Sequence, residues 1–112
     1  MKKYQLGEFE EIVLLTVGVL HGEAYGVAIK AEIEKQLQRK ASVGALQSAL
    51  RRMEGKGFLI SELGEATKVR GGKRKRYFKI TALGKEALQF TMQTRLDLWG
   101  QIPDMDFQFK PC

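Results

Sequence analysis

The chain has 112 residues, 44% of them hydrophobic, so it can form one small globular domain but cannot enclose a large active-site cavity as a monomer. Its formal net charge of +6 favours nucleic acid or an acidic membrane surface as a partner. The single cysteine, Cys112, leaves no internal disulfide, and the apolar run 12–20 is too short to span a bilayer, so we expect a cytoplasmic protein without a membrane segment.

Apolar residues recur at helical spacing in the first part of the chain. Residues 8–20 are apolar on almost every side, which predicts a first helix covered on both faces, in part by a second subunit. Residues 25–39 predict a second helix, because Ile29, Ile33 and Leu37 form an i, i+4, i+8 stripe. A short connector follows.

A third helix is predicted over residues 43–55, because Ser42 is a good N-cap. The side of this helix that faces away from its apolar residues carries small, polar and basic side chains. A short connector followed by such a helix is typical of a helix-turn-helix, whose second helix enters the major groove of DNA. The apolar residues fall in one narrow arc that should face the core: Val43, Leu46, Leu50 and Met53.

The positive charge is concentrated in residues 68–79, which contain seven cations and no acidic residue. The rest of the chain has 12 cations against 13 acidic residues. Gly71 and Gly72 supply the positive φ that a tight turn needs, and residues 58–63 and 74–80 read as two strands. We therefore expect a charged hairpin that faces a polyanion. Alternation does not decide which face of strand 58–63 points inward.

Thr81 is predicted to cap a last helix over residues 82–101. One apolar face can close the domain, and nothing else in the chain is left to cover the other, so we expect a two-fold dimer. The predicted fold is mainly α with a small β-hairpin, in which residues 1–81 form a winged helix-turn-helix domain, 82–102 a C-terminal dimerisation helix and 103–112 a tail. The closing face consists of Leu83, Ala87, Phe90 and Leu98, and the dimer face contains Leu88, Met92, Leu96 and Trp99.

Five motifs follow one another in unbroken order: LGEFEEIVLL (6–15), EAYGVAI (23–29), GALQSALRRMEGKGFL (44–59), RGGKRKRYFKIT (70–81) and LGKEAL (83–88). Together they resemble the PadR family of bacterial transcriptional regulators. The resemblance implies a dimeric winged-helix repressor that binds a pseudo-palindromic operator and is released by an effector. Gln47 departs from the family, whose members commonly carry at this position a Tyr that contacts phosphate. Gln47 can still donate a hydrogen bond to a phosphate or a base edge.

Two cationic surfaces, on the third helix and the hairpin, are predicted to bind double-stranded DNA. Gly44 and Ala45 allow close approach, while Arg51 and Arg52 supply donors whose targets, base edges or phosphates, the sequence does not distinguish. Tyr77 either reaches the DNA backbone or packs within the hairpin. The predicted DNA-binding residues are Ser42, Gly44, Ala45, Gln47, Ser48, Arg51, Arg52, Arg70, Lys73, Arg74, Lys75, Arg76 and Tyr77.

The remaining predictions concern the dimer, an effector and chemistry. A small-molecule effector is assigned to Trp99 and Arg95, although interface packing is the favoured role of the Trp99 ring. His21 has no cysteine near it in sequence, so no metal, cofactor or catalytic residue is expected. The alternative to a transcription regulator is a winged-helix interaction module that binds an acidic protein or RNA. The predicted dimer interface is Leu88, Met92, Arg95, Leu96 and Trp99.

Overall fold

Four helices and a two-stranded hairpin follow one another in the predicted order. The computed structural model describes residues 5–64 and 74–104. Each element boundary lies within two residues of its predicted place, and the mainly α architecture with a small hairpin is confirmed. The elements are α1 (Glu8–Val19), α2 (Gly26–Leu37), α3 (Val43–Gly55), β1 (Leu59–Leu63), β2 (Arg76–Ile80) and α4 (Ala82–Gln101).

The first three helices and the hairpin enclose one hydrophobic core. Leu14, Ile29 and Leu50, one from each helix, are fully buried in it. On the outer side of α1, however, Leu15 is 39% exposed and Val19 is 69% exposed. The described residues therefore do not supply the second cover that the apolar pattern of α1 requires.

Both predicted helix caps are confirmed. The Ser42 hydroxyl accepts a hydrogen bond from the Ala45 amide at 3.1 Å and so starts α3. The Thr81 hydroxyl accepts one from the Gly84 amide at 3.0 Å and so starts α4. Each satisfies a donor that the first turn of a helix leaves without an internal partner.

The connector between α2 and α3 is closed by Glu34. The Ala41 amide, at 2.8 Å, and the Lys30 ammonium, at 2.9 Å, both donate to this carboxylate and lower the pKa of Glu34. Gln38 takes a left-handed conformation with φ 54°, so the chain reverses directly after α2. The carboxylate thus ties the end of the connector back to α2.

The hairpin pairs β1 with β2 antiparallel, with Leu59 opposite Ile80 at the base. Phe58, Leu59 and Phe78 are buried, whereas Ile60 is 58% exposed, which decides the inward face that the sequence left open. We call the hairpin β1–β2 the wing. The predicted turn at residues 71–72 lies outside the described residues.

The start of α4 packs closely on the body. A Cβ on Gly84 would collide with the carbonyl oxygen of Phe58, and Ala87 is fully buried. The prediction that the whole first face closes the domain is wrong, because Phe90 is 52% exposed and Leu98 is 62% exposed. The small residues at 84 and 87 dock the helix, and its later turns extend beyond the core.

One residue of α3 also departs from its predicted environment. Val43 was expected in the core but is 58% exposed, because the first turn of α3 precedes the part of the helix that reaches the core. Ala49, which the predicted core arc of α3 did not include, is instead fully buried.

No helix in the described ranges is long and apolar enough to cross a membrane.

Candidate nucleic-acid interface

The outer face of α3 is small and polar over its first turns. Gly44, Ala45, Gln47 and Ser48 are all exposed, as is the capping residue Ser42. Side chains this short let the helix axis come close to a flat or grooved partner. The structure thus brings together the uncharged residues that the sequence assigned to DNA.

The two arginines of α3 lie in different environments. Arg51 is exposed and makes no hydrogen bond or ion pair with another described residue. The Arg52 Nε donates at 2.9 Å to Glu10 Oε2 on α1, and its side chain remains 53% exposed. Arg51 is consequently available to a partner through its whole guanidinium, whereas Arg52 has one donor committed.

Glu10 holds the end of α3 against α1. Burial raises the pKa of this carboxyl, but the Gly7 amide and the cations Arg52 and Lys56 outweigh that effect and lower the pKa to about 2. The Lys56 ammonium lies 2.9 Å from Glu10 Oε1, and the Gly7 amide lies 2.8 Å from the same oxygen. The two oxygens of this buried carboxylate thus accept hydrogen bonds from the Gly7 amide, Arg52 and Lys56.

The wing carries three exposed cations that form no ion pair with a described carboxylate. Arg74 Nε donates to the Gly64 carbonyl at 2.7 Å, and Arg76 Nη1 donates to the Ser61 hydroxyl at 3.0 Å. Lys75 and both arginines are exposed, and within residues 5–64 and 74–104 none of the three pairs with a carboxylate. The predicted residues Arg70 and Lys73 lie outside the described part of the chain.

Tyr25 joins the wing to the start of α2. Its ring meets Tyr77 edge to face, with the centroids 5.5 Å apart at 65°, and the two residues form an isolated antiparallel bridge. The Lys75 ammonium lies 4.2 Å from the centroid of the Tyr25 ring, a cation–π distance. Tyr77 therefore packs against the N-cap residue of α2, and the ring contact ties the wing to that helix.

A groove of about 340 Å³ lies where α2, α3 and the wing meet. Its walls include Gln47 of α3 and Arg76 of the wing, so the start of α3 and the basic end of the wing border one depression. Sequence reasoning assigned Gln47, Lys75 and Arg76 to DNA and missed the other seven residues of the groove, among them Val27, Lys30 and Val43. The exposure of Val27 at 74% and of Val43 at 58% depends on the packing angle of α2 and α3, and no local pattern shows it.

The predicted dimer residues divide into two groups. Leu88 and Met92 are half-buried, and Leu88 packs against the core of its own chain. Leu96 and Trp99 are 62% and 72% exposed. Arg95 Nε and Nη2 donate to the two carboxylate oxygens of Glu11 at 3.1 and 2.8 Å, and this hydrogen bonding raises the pKa of Arg95. The Glu11 pairing gives no local sequence signal.

The predicted effector residues are not brought into one pocket by the described residues. Trp99, Ile102, Pro103 and Asp104 line a shallow depression of about 270 Å³ at the end of α4, and Arg95 is not among its walls. His21 is exposed, and the described ranges contain no group of three His, Cys, Asp or Glu residues suited to a metal ion.

The model of the transcriptional regulator PadR-like family matches residues 14–90, which is more than half of the chain. The chain belongs to the PadR-like family of transcriptional regulators. It therefore has the winged helix-turn-helix DNA-binding fold of that family, whose members are generally not enzymes. No curated protein sequence matches it.

Solved structures agree with the family. A PadR-like transcription factor from Bacteroides fragilis is 27% identical, with a TM-score of 0.70, covering 89% of this chain and 88% of that one. A PadR family transcription regulator from Clostridium difficile is 28% identical, with a TM-score of 0.62 and coverage of 80% and 91%. RosR of H. salinarum is 25% identical, with a TM-score of 0.66 and coverage of 89% and 83%.

Proposed function

We propose that this PadR-like chain is a sequence-specific repressor that acts as a homodimer on a pseudo-palindromic operator in the cytoplasm and is released by a small-molecule effector. The observation that carries the proposal is the shared groove between α3 and the wing. A helix seated in the major groove would place the wing beside the flanking sugar–phosphate backbone.

The residues of α3 are proposed to make two kinds of contact with DNA, one with base edges and one with phosphates. In helix-turn-helix proteins the N-terminal residues of the recognition helix contact base edges. Here those positions are Val43, Gly44 and Gln47, which offer an apolar contact, close approach and an amide. Arg51 follows on the exposed side and supplies a full guanidinium to guanine or phosphate.

The wing supplies a binding contribution that does not depend on sequence. Lys75 and Arg76 are exposed and unpaired with any described carboxylate, so phosphates are their natural partners. The contact with the Tyr25 ring already restricts the Lys75 side chain. Its ammonium therefore loses less conformational entropy when it binds a phosphate.

Homodimer formation is supported by apolar surface left uncovered on α1 and α4. Val19, Phe90, Leu96 and Trp99 each expose more than half of their surface. A two-fold axis lets one such patch cover the same patch on a second copy. An effector that inserts beside Trp99 would change the spacing of the two α3 helices and lower the affinity for DNA.

A mobility-shift titration tests the proposal with the duplex upstream of the chain's own gene and an unrelated duplex of equal length, each at two salt concentrations. We expect preferential binding of the upstream duplex, with affinity for both falling steeply as salt rises. Equal affinity for the two duplexes contradicts a repressor. Stronger binding to an RNA or an acidic protein favours the interaction-module alternative.

A further inference from the structure

Two adjacent buried glutamates on α1 bind cations from two different helices. Glu10 is 4% exposed and pairs with Arg52 of α3, while Glu11 is 8% exposed and pairs with Arg95 of α4. The two partners lie 42 and 84 positions away along the chain. One turn of α1 is thus connected by side chains to the helix proposed to read DNA and to the helix proposed to form the dimer.

α4 is held to the body at two separated points. Near its start, Gly84 lies against the Phe58 carbonyl so closely that no Cβ would fit. Eleven residues later, about 16 Å along the helix axis, Arg95 forms its two hydrogen bonds with Glu11. One point would allow α4 to swing, but two points define its direction.

The Glu11–Arg95 pair joins a buried carboxylate to a guanidinium that remains 60% exposed. Water and salt screen the exposed guanidinium, whereas loss of the pair would leave the buried carboxylate without its cation. The geometry of the pair is specific, because a two-pronged Arg–carboxylate contact restricts the orientation as well as the distance of the partners. A contact of this geometry at a buried carboxylate is suited to positioning α4 on α1.

We propose that Glu11 and Arg95 are positioning residues that set the separation of the two α3 helices in the dimer, and hence the half-site spacing that the dimer prefers. The inference rests on the proposed homodimer. A tilt of about 5° moves the far end of a helix of about 30 Å by roughly 2.6 Å, which approaches the rise of about 3.4 Å per base pair. Glu10 links the same turn of α1 to α3, so the angle set at Arg95 is transmitted to the DNA-reading helix.

Spin-label distances across the free dimer test the inference without any knowledge of the operator. Cys112, the single cysteine, is replaced by Ser, and a nitroxide is attached at Ser48→Cys on the exposed face of α3. We expect one narrow distance for the parent and a distribution roughly twofold wider for Arg95→Gln and for Glu11→Gln. The double variant should be no wider than either single variant, because both remove the same contact.

Lys85→Gln is the matched control, since it also removes one cation from α4 but from an exposed residue with no ion pair among the described residues. Its distribution should equal that of the parent. If Arg95→Gln does not fold, Arg95→Lys keeps the charge, loses the two-pronged geometry and should give an intermediate width. An unchanged narrow distance in these variants overturns the inference.

A second measurement separates positioning from structural support. Half-sites recovered by selection from a random duplex library are placed at the selected spacing and at spacings one base pair longer or shorter. Arg95→Gln should lose roughly five- to tenfold of the preference for the selected spacing, while its affinity for one isolated half-site stays unchanged. An equal loss on all duplexes overturns positioning. A protein that is monomeric at micromolar concentration overturns the proposed homodimer together with this inference. An equal loss on all duplexes by a protein that is still a dimer overturns the inference alone.

Discussion

Arg52 and Glu10 are joined at 2.9 Å across the contact between α3 and α1, although they lie 42 residues apart in the chain. The next cation along α3, Arg51, has no such partner among the described residues. The two arginines of one basic helix face therefore have different roles available to them, since one is tied to the body and the other faces outward.

Replacing Arg51 with Ala should weaken binding to the operator with little effect on folding. We expect a loss of about 1–3 kcal/mol in binding free energy if Arg51 reads a guanine, measured by a mobility-shift titration. Lys35→Ala, which removes an exposed cation from α2, is the matched control. A reduced affinity that is equal for all duplexes would assign Arg51 to phosphate instead.

Replacing Lys75 with Gln should weaken binding to every duplex by a similar factor. The logarithm of affinity falls linearly with the logarithm of salt concentration, and each cation that contacts a phosphate contributes about 0.9 to the slope. The slope of the variant should therefore be shallower by about 0.9 for each Lys75 contact that is lost. The measurement is a salt titration of affinity with specific and unrelated duplexes. An unchanged slope would show that Lys75 serves only to pack on Tyr25.

Glu10→Gln should reduce the pH dependence of stability in acid. The folded pKa of about 2 lies below the ordinary value of 4.5, so the carboxylate stabilises the fold fully above about pH 4.5. That contribution, of the order of 2–3 kcal/mol, is lost as the pH falls from 4.5 through 2. Urea unfolding at pH 7, 4 and 2.5 should show a smaller acid-induced loss for the variant than for the parent, with Glu23→Gln, an exposed residue, as the control.

Gly84→Ala should destabilise the fold, because the new Cβ would meet the Phe58 carbonyl, which is backbone and cannot rotate away. We expect a loss of about 1–3 kcal/mol in the free energy of unfolding, as in overpacked cores. Gly100→Ala on the same helix has nothing within 4 Å of its new Cβ and should be neutral or slightly stabilising. Equal effects of the two substitutions in thermal denaturation would contradict the close docking of α4.

Leu96→Ala with Trp99→Ala should weaken the dimer by removing two exposed apolar side chains from α4. We expect the sedimentation profile to shift toward monomer at micromolar concentration, with a loss of at least about 2 kcal/mol in association free energy. Gln89→Ala, an exposed polar residue of α4, is the control. Since Trp99 is the single tryptophan, a blue shift of its emission with rising parent concentration provides an independent readout.

Much of the fold was predictable because its signals are local. The caps Ser42 and Thr81 act on amides three residues away, and helical periodicity repeats every few residues. The excess of cations in residues 68–79 is likewise a property of composition, so a charged hairpin was predicted from the chain alone. The family resemblance, carried by motifs in order, was confirmed by the match over residues 14–90.

By itself, then, the sequence determined the order and type of the elements, their caps and the concentration of positive charge in one segment, since each depends on residues close together in the chain. Only the tertiary structure decided that Glu10 and Glu11 are buried, that Arg52 is partly committed and that Arg95 is tied to α1. Those outcomes depend on partners 42 and 84 positions away. A charged residue in a first turn looks solvated until the packing of distant helices removes its water and supplies a cation in exchange.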